Sequence, residues 1–191
     1  MKTKFHKWTL LIALFFISTV QQGYATESEI SMEQVNRIFP NAVNTQTVSN
    51  SEYLVFDNAQ KKIGRVIVSS PSADNIVGYF GPVPLLIGFD LNGNIAGVLL
   101  LKNRETAEYV VQVENSGLLS QWDGLSAKEA LKKQVDVVSG ATLTSRAVIR
   151  TFQKRVSEDV QSSSGSGLLW IGLLGGVVLL GLIFYFFKRR K

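Results

Sequence analysis

A chain of 191 residues has room for one ordinary domain with accessory segments. It contains no cysteine and one histidine, His6. That composition excludes thiolate nucleophiles, iron–sulfur and cysteine-linked haem ligation and, once an N-terminal segment is removed, histidine acid–base catalysis and the usual zinc sites. The formal charge of +5 gathers at the two ends, in Lys2, Lys4 and Lys7 and in Lys188, Arg189, Arg190 and Lys191, so it reads as membrane topology and gives no argument for nucleic acid.

Residues 1–25 read as a signal peptide. Three lysines precede the apolar run Thr9–Val20, which is too short for a bilayer core of roughly 30 Å, and Gly23 and Ala25 supply small residues for cleavage. An uncleaved signal-anchor is the rival reading. Glu27–Phe39 carries a helical pattern with Ile30, Val35 and Ile38 on one face, stopped by Pro40. Tyr53–Phe56 and Ile63–Val68 read as a strand pair around the polar turn Asp57–Lys62. The stretch Val77-Gly78-Tyr79-Phe80-Gly81-Pro82-Val83-Pro84 predicts an irregular loop around two aromatics, either a rigid turn or a wall beside a flat ligand.

Leu85–Asp90 and Ile95–Leu101 form a second predicted pair, joined through Asn92-Gly93, a strong hairpin signal. Ala107–Val113 is expected to be helical, with Thr106 as its N-cap and Glu105 solvated on the plain reading. Trp122 reads as core. Ser126–Lys133 fits a short helix opened by a capping box at Ser126 and Glu129. Val135–Val138 is a short extended piece. From Thr142 a helix is expected, with Val148, Phe152 and Val156 recurring every four residues and Arg146, Arg150, Lys154 and Arg155 mostly off that face. Residues 161–167 read as a flexible linker and 168–187 as an uncharged span of membrane length, with a basic cytoplasmic tail at 188–191. The predicted fold class is α+β: a small antiparallel sheet with packed helices, in a domain spanning 26–160, plus one C-terminal transmembrane helix.

The most informative stretch is Asp136-Val137-Val138-Ser139-Gly140-Ala141-Thr142, followed by Leu143 and Thr144. Gly140 permits a tight turn and close approach of a ligand to the backbone. Thr142 and Thr144 then fall in the first helical turn, where free N–H groups favour a bound phosphate. As a plain alternative, Thr142 merely caps that helix.

The pattern Asp-x-x-Ser-Gly-Ala-Thr at Asp136–Thr142 resembles the attachment motif of the FMN-binding domain family. That family includes the covalent-FMN subunits of the sodium-pumping NADH:quinone oxidoreductase and of the Rnf complex, and the extracytoplasmic domain of the nitrous-oxide reductase maturation regulator. The loop Gly78, Tyr79, Gly81 and Pro82 is similar to the family's loop near the flavin ring. The pair Glu105 and Thr106 resembles an element that reaches the flavin, although Ala107-Glu108 stands where the family has Pro-Gly. The resemblance implies covalent FMN, joined as a phosphoester to Thr142 by an FAD:protein FMN transferase. It implies that Asp136, Ser139, Gly140 and Ala141 shape the attachment loop. Val137, Val138, Leu143 and Tyr79 then pack on the ring or belong to the core, and Thr144 is a second hydroxyl within reach.

The implied function is that of an extracytoplasmic flavoprotein on the inner membrane, single-pass, with its C-terminus cytoplasmic. It relays electrons between membrane and extracytoplasmic donor and acceptor proteins and has no catalytic residues of its own. The alternative is a flavin-dependent sensor or maturation partner of a respiratory membrane complex. The oxidoreductase subunits named above have an N-terminal span, whereas the span expected here is C-terminal.

Overall fold

The computed structural model describes residues 30–163. The expected signal peptide, transmembrane helix and basic tail lie outside the described residues, as does 164–167 of the expected linker. Among the described residues, no helix is long and apolar enough to cross a membrane.

The first helix, α1 (Met32–Ile38), starts later than the expected Glu27 because Ser31 caps it. The Ser31 hydroxyl accepts from the Gln34 N–H, and the Gln34 side chain accepts from the Ser31 N–H. This reciprocal pair satisfies two donors that would otherwise end the helix unpaired.

Five strands follow: β1 (Asn44–Ser49), β2 (Glu52–Phe56), β3 (Lys62–Val68), β4 (Leu85–Phe89) and β5 (Ile95–Leu100). They form one antiparallel sheet in sequence order. The two expected hairpins are therefore not separate, because β3 and β4 pair directly, with Ile67 opposite Ile87. Strand β1 has no counterpart among the expected elements. It is polar and almost wholly exposed at the sheet edge, so it lacks the alternation that marks a half-buried strand.

The sheet is buried on both faces, and the two-residue period of its strands divides the core in two. Val66, Val68 and Leu86 join Val35 and Phe39 under α1. Ile67, Leu85, Ile87 and Phe89 face the later helices. A Cβ at Gly64 or at Gly88 would fall 2.5 Å from Phe39 or Ile38 respectively, so the glycines make the groove into which the end of α1 settles.

The second face is covered by α2 (Ala107–Asn115), a 3-10 turn (Leu119–Trp122), α3 (Ala127–Lys132) and a long helix α4, spanning 142–163. Ser126 and Glu129 form the expected capping box of α3. Val148, Phe152 and Val156 of α4 are fully buried, as their spacing predicts. The Phe152 ring stacks on Trp122 at 3.9 Å between centroids. Further along, Arg65 on β3 makes a bidentate pair with Asp159, and Arg155 donates to the Val68 carbonyl. These contacts anchor α4 as far as Asp159, and the helix runs on through residues 161–163, where a linker is expected from the sequence. Val135–Val138 forms no strand; it runs as irregular chain into the start of α4.

Candidate functional site

The chain turns at Ser139-Gly140 and enters α4 at residue 142. Gly140 has a φ of +86°, and a Cβ there would lie 2.7 Å from the Gln112 Oε1 on α2. Glycine is thus required both for backbone handedness and for the close approach of α2. The turn is secured from inside the helix by Ser145. Its hydroxyl donates to the Ala141 carbonyl at 2.9 Å and accepts from the Val138 N–H at 2.9 Å. Sequence reasoning passed over Ser145; the one signal was a short hydroxyl four positions beyond Ala141, within reach of its carbonyl. Asp136 and Ser139, expected to shape this loop, are exposed and make no hydrogen bond or ion pair among the described residues.

The two threonines of the first helical turn have opposite surroundings. Thr142 is exposed. Thr144 is fully buried, and its hydroxyl donates to the Glu105 Oε2. The Glu105 carboxylate also accepts from the N–H groups of Tyr79 (2.9 Å), Phe80 (2.6 Å) and Gly81 (3.1 Å). Burial pushes this carboxyl up, but the Thr144 hydroxyl and the three backbone donors outweigh it and hold it below the usual carboxylate range. Glu105 is therefore not the solvated residue of the plain reading: it is 9% exposed and joins three elements. A Cβ at Gly78 would lie 2.7 Å from its Oε2, so Gly78 leaves room for the carboxylate. The loop closes with the Gly78 N–H donating to the Gly81 carbonyl at 2.8 Å, and Val77 bridges to Pro82. Thr106 occupies the N-cap position of α2, but its side chain makes no capping bond; its carbonyl accepts from Tyr109 and Val110 instead.

The result is a cleft of about 210 Å³ lined by Tyr79, Tyr109, Gly140 to Leu143, and Thr144. Tyr79 meets Tyr109 edge to face, with 5.5 Å between centroids. Tyr79 is 52% exposed and Leu143 50%, and Val137 is exposed as well, so the core alternative falls for these three. Val138 is half-buried and packs against the core. Gly81 is buried, and Pro82 is half-buried. The arrangement offers one free hydroxyl at a helix N-terminus beside two tyrosines and a leucine. A phosphate fits the first feature and a flat aromatic ring the second. Arg146 is exposed and makes no ion pair. A wider, more open hollow of about 790 Å³ lies along the middle of α4 between Asn75, Leu131, Arg150 and Lys154, and includes none of the motif residues.

Among the described residues no cluster of acidic or histidine side chains is arranged to hold a metal ion. The sequence model of the FMN-binding domain matches residues 78–157, which include the Gly78–Pro82 loop, the cleft and most of α4. The chain is similar to a subunit of the ion-translocating oxidoreductase complex of Stutzerimonas stutzeri, at 36% identity over 99 residues, or 46% of this chain and 43% of that one. It is 28% identical over 160 residues to the like-named protein of Methanosarcina acetivorans, covering 76% of this chain and 84% of that one. A subunit of the Na(+)-translocating ferredoxin:NAD(+) oxidoreductase complex of Acetobacterium woodii is 30% identical over 97 residues, or 45% of this chain and 44% of that one. The matches to the first and third thus span less than half the length of those relatives.

Proposed function

We propose that this chain, whose residues 78–157 match the FMN-binding domain family, is an electron carrier with FMN joined by a phosphoester to Thr142. The observation that carries this choice is the contrast between the two hydroxyls. Thr142 is exposed at the cleft, whereas the Thr144 hydroxyl is buried and committed to Glu105. Of these two threonines, only Thr142 is open to a modifying enzyme without unfolding the first turn of α4.

In the proposed attachment, the Thr142 Oγ1 attacks the FMN-side phosphorus of FAD at an FAD:protein FMN transferase. The pyrophosphate bond breaks, AMP leaves, and the hydroxyl proton passes to a base on the transferase. The N–H groups at the start of α4 would hold the phosphate, and Tyr79, Tyr109 and Leu143, which line the cleft, would flank the ring. Bound FMN supplies one- and two-electron chemistry; the protein supplies attachment, orientation and local charge. The relatives are named as subunits of oxidoreductase complexes, which supports electron transfer within a membrane assembly. The signal-like segment 1–25 and apolar segment 168–187 support an extracytoplasmic domain held at the inner membrane by one C-terminal span. A covalent bond keeps the cofactor from being lost by dilution on that side.

The test is intact and peptide mass after co-expression with an FAD:protein FMN transferase. The peptide containing Thr142 is expected to gain one FMN less one water, and the protein to stay yellow after denaturation. Thr142→Ala is expected to be folded and colourless. A wild-type chain at its bare polypeptide mass, or a label on Thr144, overturns the assignment.

A further inference from the structure

Glu105 is a buried anion with no cation against it. Among the described residues the salt bridges are Arg65 with Glu52, Arg65 with Asp159, and Lys154 with Glu158; none involves Glu105. Its oxygens are satisfied by four neutral donors, the N–H groups of Tyr79, Phe80 and Gly81 and the hydroxyl of Thr144. Neutral donors stabilise the ionised form without cancelling its charge. Two of these four residues, Tyr79 and Thr144, also line the cleft beside Thr142. The negative charge therefore stands one side chain behind the cleft wall, where solvent screens it less than at the surface.

Resting on the reading that FMN occupies this cleft, we propose that Glu105 is a positioning residue whose carboxylate lowers the reduction potential of the flavin. It also fixes the Tyr79 loop against the flavin-bearing helix. Reduction of an isoalloxazine ring by two electrons and one proton adds one negative charge to it. The electrons come from an external carrier of lower potential, and the proton comes from solvent. A fixed carboxylate behind the cleft opposes that added charge and shifts the equilibrium toward the oxidised ring. Glutamine would keep one acceptor oxygen and set an NH2 donor against the other pair of donors, so Glu105→Gln changes charge and bracing together and a second variant is needed to separate them.

The test is a spectroelectrochemical titration with dithionite of the full chain, loaded by the transferase. Wild type, Glu105→Gln and Thr144→Val are compared after mass confirms one FMN on each. Glu105→Gln is expected to favour reduction by at least tenfold, an upward shift of about 30 mV for a two-electron couple. Thr144→Val removes a donor that partly screens the carboxylate, so its potential is expected to move the opposite way. Opposite signs distinguish charge from a general loosening of the site, which would move both variants alike. A loaded Glu105→Gln at the wild-type potential overturns the proposal. So does a Thr144→Val shift upward or no shift, and that variant decides the matter if Glu105→Gln fails to fold or load. A wild-type chain that takes no FMN instead overturns the cofactor reading itself, and is recognised by mass before any potential is measured.

Discussion

Glu105 illustrates how a single side chain changes meaning between sequence and structure. As a sequence position it precedes a helix and looks solvated. Folded, it collects three N–H groups from a loop more than twenty residues upstream and a hydroxyl from α4. No local pattern encodes that convergence, because the partners come from separate elements. Its energetics follow from its depressed ionisation. A carboxyl held low in the folded state stabilises the fold above the ordinary carboxylate range, and that contribution is lost as pH falls through the folded value. Urea unfolding of the unmodified domain between neutral and acid pH is therefore expected to show a smaller loss of stability on acidification in Glu105→Gln than in wild type. Equal acid limbs would show that Glu105 is not differentially ionised. At Gly140 the residue-scale argument is steric. Gly140→Ala meets a left-handed backbone and the Gln112 side chain, and is expected to destabilise the domain by about 1–2 kcal/mol, read from the urea midpoint.

Helix α4 joins two tasks in one element. Its first turn presents Thr142 outward and Thr144 inward, and its later turns bury Val148, Phe152 and Val156. The rigid placement of the Thr142 hydroxyl therefore depends on core contacts about two to four turns away. Phe152→Ala removes the ring stacked on Trp122 and is expected to cost about 3–5 kcal/mol in denaturant unfolding, with an unchanged slope. Because Thr142 lies on the exposed side, Thr142→Ala is expected to stay within about 0.5 kcal/mol of wild type. The apolar spacing of α4, the Asn92-Gly93 hairpin and the Ser126 capping box could all be read beforehand, since each is a local pattern with a local physical cause. Strand β1 could not: Asn44–Ser49 is held by backbone pairing with β2 and buries almost no side chain. The helical residues 161–163 were hidden for a similar reason, since serine-rich composition signals a linker while packing of the preceding turns carries the helix onward.

At the scale of the whole domain, the site is made where the second face of the sheet meets its covering helices. Loop 77–84 ends the connection from β3 to β4, Glu105 follows β5, and α4 crosses back toward β3. The two ends of α4 are thus fixed by different means: Glu105 and Thr144 at the cleft, and the Arg65–Asp159 pair at the far end. Arg65 also lies over the Phe89 ring at 4.1 Å and approaches Glu52 at 3.5 Å, so its orientation is set before Asp159 arrives. A preoriented, bidentate and partly buried guanidinium loses less freedom on pairing than an exposed one. A double-mutant cycle with Arg65→Met and Asp159→Asn is accordingly expected to give a coupling above about 1 kcal/mol, beyond the range of exposed ion pairs. The far-end clamp lies distant in sequence from the cleft, so in the flavin-loaded protein the same variants are expected to lower thermal stability while leaving the flavin potential at the wild-type value. A potential that moved with the clamp would show that the cleft takes its geometry from the whole length of α4 and not from the Glu105 junction.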